Sequence, residues 1–240
     1  MKAIVLAAGK GTRLQSEKAN LPKVMRLANN RPLIDYCLDS INFIEPKDIH
    51  IVVGYMRDRI MEHLGSKYNF AVQEQQLGTG HAVMSTYSQL EEYEGDVLVI
   101  YGDMPLIKKE TFEALVEEHK KSSADLTVLT AEVKNILPYG RIIRDYEGKI
   151  VDIIEEKDAS EDVKKINELN VGVIVAKSHL LFKALKGLKN DNIAGEYYLT
   201  DTTGIFVNNN WNISSYKITN EAEIRGVNTL EDLRFVEDNL

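Results

Sequence analysis

Cysteine is nearly absent. Cys37 is the only one in 240 residues, so no disulfide can form within the chain, and a reducing cytoplasm fits. It lies in PLIDYCLDSI, a helical pattern in which a small buried thiol is the expected role rather than a nucleophile. Long apolar runs are also missing, and none approaches the ~20 residues that cross a bilayer as a helix. The opening MKAIVLAAGKG imitates a secretory leader, but its apolar part is too short and runs directly into a glycine-rich turn, so it reads as a first strand. An excess of positive charge is lacking as well: the net charge of −8 argues against general nucleic-acid binding. No Gly/Ser-rich linker and no repeat divides the chain, which predicts a single domain over residues 1–240 with an inserted segment around 135–175.

What is present is an ordinary globular balance, 44% hydrophobic and 28% charged residues, at a length that buries a sizeable core. The charge is unevenly placed. Lys2, Lys10, Arg13, Lys18, Lys23, Arg26 and Arg31 face one acid, Glu17, in residues 1–31, leaving the remaining chain strongly acidic. A basic N-terminal loop on an acidic body suits a small polyanion held at one place, the alternative being a solvated basic face.

Strand and helix signals alternate. The predicted strands are Ala3–Ala7, Ile49–Val53, Phe70–Gln73, Val97–Tyr101, Leu126–Val133, Val171–Ala176 and Ile213–Ile218. The predicted helices are Leu33–Ile44, Met56–Leu64, His81–Leu90, Lys109–Lys120, His179–Lys186 and Tyr198–Asn208, with an amphipathic closing helix over Leu230–Leu240. Runs such as IVLA, HIVV and VLVIY are continuously apolar, the mark of strands buried on both faces. The expectation is an α/β fold: a doubly wound, mostly parallel mixed sheet. Between Arg141 and Glu156 apolar and polar residues alternate around Glu147-Gly148, which predicts an antiparallel hairpin laid over the sheet.

The first strand runs into LAAGKGTRL, residues 6–14. Small residues at Ala7, Ala8, Gly9 and Gly11 let the backbone approach a ligand, so that successive N–H groups can face phosphate oxygens. Arg13 adds a fixed charge with a bidentate fork, and Lys23, after Leu21-Pro22, a point charge. Neither familiar glycine motif is present: residues 9–16 do not give GxxxxGK[ST], and Gly9-Lys10-Gly11-Thr12-Arg13-Leu14 ends on leucine where GxGxxG needs glycine. Asp103 follows the buried strand VLVIY, where a carboxylate can reach a bound cation; it is equally suited to a turn before Pro105. Asn228 by itself suits a helix N-cap or a turn. Gln73 and Gln76 carry amides able to match the imide edge of a base, although surface glutamines are commonly inert.

With these residues in view, LAAGKGTRL followed by LPK resembles the signature of the sugar-1-phosphate nucleotidyltransferases, and within them the uridyltransferase domain of the bifunctional bacterial N-acetylglucosamine-1-phosphate uridyltransferases. The resemblance continues in order through QEQQLGTGHA (73–82), YGDMPLI (101–107), YGRIIRD (139–145), EEKDA (155–159), NELNVG (167–172), GEYYLTD (195–201) and GVN (226–228). It implies a Rossmann-like nucleotide-diphospho-sugar transferase fold with a sugar-binding insertion. It implies UTP and a sugar 1-phosphate as substrates, with no nucleic acid or membrane as partner, and Mg²⁺ held by Asp103 and Asn228. Arg13 and Lys23 become the catalytic cations. Leu6, Ala7, Ala8, Gly9, Gly11, Thr12, Gln73, Gln76, Gly78 and Thr79 become the nucleotide site. Tyr101, Gly140, Glu155, Asn170, Glu196 and Tyr197 become the sugar site. Two departures stand out. The stretch QSEKANLP between Arg13 and Lys23 is longer than such enzymes usually carry, which brings Lys18 forward as a competing phosphate ligand. Val171 replaces a small hydroxyl residue after Asn170. His81 is expected to be structural. No hexapeptide-repeat pattern follows residue 230, so neither acetyltransferase activity nor a trimer built on such a repeat is expected.

The expected reaction is therefore uridylyl transfer to N-acetylglucosamine 1-phosphate. The competing readings are the same chemistry on glucose 1-phosphate, choline phosphate or another base, and a catalytically silent nucleotide-binding subunit. The joint presence of Arg13, Lys23, Asp103 and Asn228 counts against the last.

Overall fold

The computed structural model describes residues 1–14 and 16–240, and among them every side chain except those of Glu17 and Lys18; Lys18 as a phosphate ligand thus lies outside the described side chains. In chain order the strands are β1 (Lys2–Leu6), β2 (Leu27–Ala28), β3 (Arg31–Pro32), β4 (Ile49–Val53), β5 (Asn69–Val72), β6 (Asp96–Tyr101), β7 (Leu126–Glu132), β8 (Arg141–Arg144), β9 (Ile150–Ile154), β10 (Glu168–Lys177) and β11 (Ile213–Ile218). The helices are α1 (Ser16–Ala19), α2 (Leu33–Ser40), α3 (Arg57–Leu64), α4 (Thr79–Met84), α5 (Tyr87–Leu90), α6 (Lys109–Lys121), α7 (Ser178–Leu185), α8 (Thr202–Asn208) and α9 (Leu230–Asn239).

The main sheet runs in the order β11–β7–β10–β6–β1–β4–β5. Side chains on a strand alternate between faces, and here both faces are apolar. Ala3, Val5, Ile51, Val53, Leu98 and Ile100 pack with residues of α2, α3 and α6, including Ile34, Cys37, Ile60 and Phe112. Ile4, Leu6, Val52, Val97 and Val99 pack on the other side with Val83, Phe182, Leu185 and Phe206 from α4, α7 and α8. Each such aliphatic side chain, fully buried, contributes about 1.5–3 kcal/mol. This double burial is what the unbroken apolar runs required. Cys37 is buried, and burial pushes its thiol far up, so it is an inert core residue.

The sheet is mixed. β6, β1, β4 and β5 are parallel, and β11 is parallel to β7, whereas β10 runs antiparallel to both β6 and β7. That reversal has a consequence for the site. The C-terminal ends of β1, β4, β5 and β6 share one edge of the sheet, and the antiparallel β10 brings its N-terminal end to that same edge. Ile174 opposes Val99, so Gly172 arrives beside Tyr101.

Several expected elements differ. The hairpin forms over β8 and β9, turning at Gly148 with φ of 81°. It does not lie over the sheet: β8 continues it by pairing with β10 at Leu169–Arg141. Ile142, Ile150 and Ile153 then pack beside Phe206. The predicted helix 81–90 is two helices. The Ser85 and Thr86 hydroxyls donate to the carbonyls of His81 and Val83, which diverts the backbone there. The helix expected from Tyr198 starts only at Thr202, because the Leu199 N–H is held by the Thr79 hydroxyl. α2 stops at Ser40, short of Ile44.

Candidate active site

The loop after β1 is fixed at both sides. Gly102 donates to the Leu6 carbonyl (3.0 Å), Ala7 to Val52 (2.9 Å) and Tyr55 to Ala8 (3.2 Å). A side chain at Gly9 would meet nothing within 4 Å, so its face is open. Gly11 has φ of 68°, and a Cβ there would sit 2.6 Å from Ser16 Oγ and 2.8 Å from Lys23 Cβ. Only glycine satisfies that backbone and that contact. The loop thereby closes over the stem of Lys23.

Lys23 follows Pro22 (φ −65°) at the start of a short 3₁₀ turn anchored by buried Val24 and Met25. Its ammonium is paired with Asp103 Oδ2 and donates to Asn228 Oδ1 at 2.9 Å. Arg13, exposed at the rim, donates to the same Asn228 oxygen at 3.2 Å. Asp103 stands just past β6, and its carbonyl accepts from the Val227 N–H (2.9 Å), which ties the two loops together. Tyr139 adds a second tie: its hydroxyl donates to the Ile224 carbonyl and accepts from the Gly226 N–H, both at 3.0 Å. Asn228 is not the N-cap of α9. Thr229 takes that role in a capping box with Asp232, which leaves the Asn228 side chain for the cleft. One carboxylate oxygen and one amide oxygen that share a single ammonium lie close enough to share a small hard cation. That donor set fits Mg²⁺, which keeps waters and phosphate oxygens as its other ligands.

The opposite wall holds the glutamines. Gln73 is 3% exposed. Its amide nitrogen donates to the Gly78 carbonyl (3.1 Å) and lies 3.0 Å from His81 Nδ1. Gln76 is exposed and donates to the Gln73 carbonyl at 3.3 Å. Gly78, with φ of 114°, and Thr79 open α4. Segment 195–201 clasps them through the backbone: Tyr197 donates to Leu77 and Gly80 donates to Tyr197, both at 2.8 Å.

Tyr101, Gly140, Glu155, Asn170 and Glu196 form the remaining side. Gly172 has φ of 86°, and a Cβ there would come within 2.6 Å of the Tyr101 ring. The Asn170 carbonyl oxygen Oδ1 accepts from the Gly172 N–H at 3.0 Å, which turns its NH₂ toward ligand space. Glu155 accepts from the Thr200 hydroxyl at 2.9 Å. Burial, then the nearby Asp158 and Glu196, raise its carboxyl above the usual range. Burial likewise raises the Tyr101 phenol. Asp201 behind them is pushed up to about 6, by burial first and then by Glu155 and Asp152. The cleft is thus polarised, with the Lys23 ammonium, the Arg13 guanidinium and the single carboxylate of Asp103 at the glycine loop, and the Glu155 and Glu196 carboxyls at the far end.

These walls enclose a cleft of about 400 Å³. Of the residues expected from sequence, Leu6, Ala8, Gly9, Lys23, Gln73, Gln76, Gly78, Thr79, Tyr101, Asp103, Gly140, Glu155, Asn170, Glu196 and Asn228 line it. Ala7 is buried beneath the loop; Gly11, Thr12 and Arg13 lie at or behind its rim, and Tyr197 contributes backbone to the clasp. Val171 is a buried core residue that also touches the cleft. Tyr139, Gly172, Gly226 and Thr200 were not foreseen. All four stood inside quoted motifs, and for Gly172 and Gly226 a glycine two residues from each asparagine was the available signal. Tyr139 and Thr200 act through contacts distant in sequence, which no local pattern announces.

The profile of the MobA-like NTP transferase domain matches residues 3–191. The chain is 41% identical over 226 residues to the bifunctional protein GlmU of Streptococcus equi subsp. zooepidemicus, covering 94% of this chain and 48% of that protein. It is 42% identical over 225 residues to the bifunctional protein GlmU of Lactobacillus helveticus, with 94% and 48% covered. The chain therefore spans about half the length of these curated relatives. The crystal structure of UDP-glucose pyrophosphorylase complexed with UDP-glucose shares the fold, with a TM-score of 0.76 at 20% identity over 99% of this chain and 97% of that one.

Proposed function

From the premise that the chain belongs to the MobA-like NTP transferase family, we propose that it transfers a uridylyl group from UTP to N-acetylglucosamine 1-phosphate, giving UDP-N-acetylglucosamine and pyrophosphate. The observation that carries the reading is one cleft in which Lys23 stands on Asp103 and Asn228, with the Gln73 amide on one side and Asn170 and Glu155 on the other. Likeness to the GlmU proteins over 94% of the chain supports the choice of substrates.

The chemistry needs no general base, because a sugar phosphate is already a nucleophilic anion at neutral pH. Its phosphate oxygen attacks the α-phosphorus, a P–O bond forms, and pyrophosphate leaves in line. The obstacle is repulsion between two polyanions, so catalysis is positioning plus charge compensation. In this reading Lys23 bridges the α-phosphate and the sugar phosphate, and Arg13 holds the β,γ end. Gln73 and Gln76 read the base. Asn170 and Glu155 meet sugar hydroxyls, with Gly140 and Glu196 near the acyl group. A Mg²⁺ ion on Asp103 and Asn228 supplies further neutralisation of phosphate charge when bound.

Pyrophosphate release by the purified protein, measured across all common nucleoside triphosphates and a panel of sugar 1-phosphates plus choline phosphate, tests the reading. UTP with N-acetylglucosamine 1-phosphate should give the highest kcat/KM. A higher value for another pair, or no release with any, refutes it.

A further inference from the structure

Gln73 is held so that only one end of its amide can face the nucleotide. A carbonyl oxygen accepts hydrogen bonds and cannot donate, so the atom at 3.1 Å from the Gly78 carbonyl is the amide nitrogen. His81 Nδ1, 3.0 Å from the same nitrogen, must then act as acceptor, with the ring proton on Nε2. Both amide hydrogens are thereby used within the protein. Oε1 has no partner among the described residues and is what Gln73 offers to the cleft it lines. The Gly78 carbonyl is a shared acceptor, since it also takes the first helical bond of α4 from the Ala82 N–H at 3.0 Å. Its two lone pairs serve both donors, and His81 Nδ1 adds a second anchor for the same amide nitrogen. Turning the amide over would set Oε1 against the Gly78 oxygen and would force the His81 ring into its other tautomer, with the proton moved from Nε2 to Nδ1.

We infer that His81, which touches no substrate, is the positioning residue that sets base selectivity by locking the Gln73 amide with its acceptor toward the base. The inference rests on the uridylyl reading above. Uracil presents an N3–H donor to such an acceptor, whereas cytosine presents an N3 lone pair. A locked acceptor pairs with the first and repels the second; an amide free to turn tolerates both. Leaving one polar atom wrongly paired in a buried site is the strongest means of discrimination a pocket has. The placement comes from sequence: Gln73 directly follows β5, and His81 stands in the first turn of α4, eight residues on, across the glycine turn.

The test is calorimetric binding of UTP and of CTP to the full chain and to His81→Leu, His81→Ala, His81→Asn and Gln73→Leu, with thermal midpoints showing that each variant is folded. The asparagine Oδ1 can take the place of Nδ1 as acceptor. In His81→Leu and His81→Ala the UTP-to-CTP affinity ratio should fall about five- to tenfold. His81→Asn should stay within about twofold of the parent, and Gln73→Leu should lose the preference. A merely structural histidine would lower both affinities together and leave the ratio alone. A ratio preserved in His81→Leu and His81→Ala but lost in Gln73→Leu overturns the role of His81 and spares the uridylyl reading. A parent that binds the two triphosphates alike overturns that reading and this inference with it.

Discussion

In the proposed reading Lys23 carries the phosphate chemistry on one flexible stem, against which Gly11 packs and which follows Pro22. In the proposed reaction its charge meets the phosphates where negative charge develops. Lys23→Ala should lower kcat on the order of 10²–10³-fold, with a smaller change in KM, as loss of a preorganised electrostatic contact does; steady-state pyrophosphate release measures it. Asp201 is a residue of the opposite kind. Its carboxyl ionises near 6 in the folded chain, against an ordinary 3.8, because burial and then Glu155 and Asp152 disfavour the anion. A raised acid pKa means that between about 4 and 6 the native state binds more protons than the unfolded one. This group's contribution therefore lowers stability as pH rises through that window, and the penalty is complete above it. Asp201→Asn should raise Tm at pH 7.5 by roughly 2–4 °C, corresponding to about 1 kcal/mol after allowance for partial exposure. It should change Tm little near pH 4. Thermal denaturation at the two pH values checks both arms.

At the scale of elements, the clasp between the glycine turn and segment 195–201 joins what the proposal reads as the base end and the sugar end. A Cβ at Gly78 would lie 2.5 Å from the Tyr197 carbonyl oxygen, on a backbone with φ of 114°. Gly78→Ala must open the clasp, and the KM for nucleotide should rise about tenfold or more with a smaller loss in kcat, a split that initial-rate kinetics resolve. The clasp also shows where sequence stops being informative. β1, β4 and β6 were legible because two-faced burial writes an unbroken apolar run, and the hairpin because Glu147-Gly148 marks its turn. The reversed direction of β10 was not, since an apolar run carries no sign of which way its neighbours run. The break at Ser85–Thr86 came from hydroxyls competing for helix carbonyls. The late start of α8 came from Thr79 holding Leu199, a bond across 120 residues. Lys23, Asp103 and Asn228 were legible as a set only because their motifs occur together and in order; their meeting across 205 residues is a product of the sheet.

For the whole molecule, a mostly parallel sheet gathers the C-terminal ends of β1, β4, β5 and β6 and the N-terminal part of the antiparallel β10 at a single edge. Of the basic residues among the first 31, Lys23 and Arg13 stand there on Asn228, and the carboxyls of Glu155 and Asp201 lie at the far wall. In the proposed reading the cleft thus has a phosphate end and a hydroxyl end. The most direct measurement is a crystal structure of the protein with UDP-N-acetylglucosamine bound. The diphosphate should lie between Gly9 and Lys23, with uracil against Gln73 and the sugar between Asn170 and Glu155. A diphosphate bound away from the end of β1, or a sugar seated on the glutamine wall, would contradict the account.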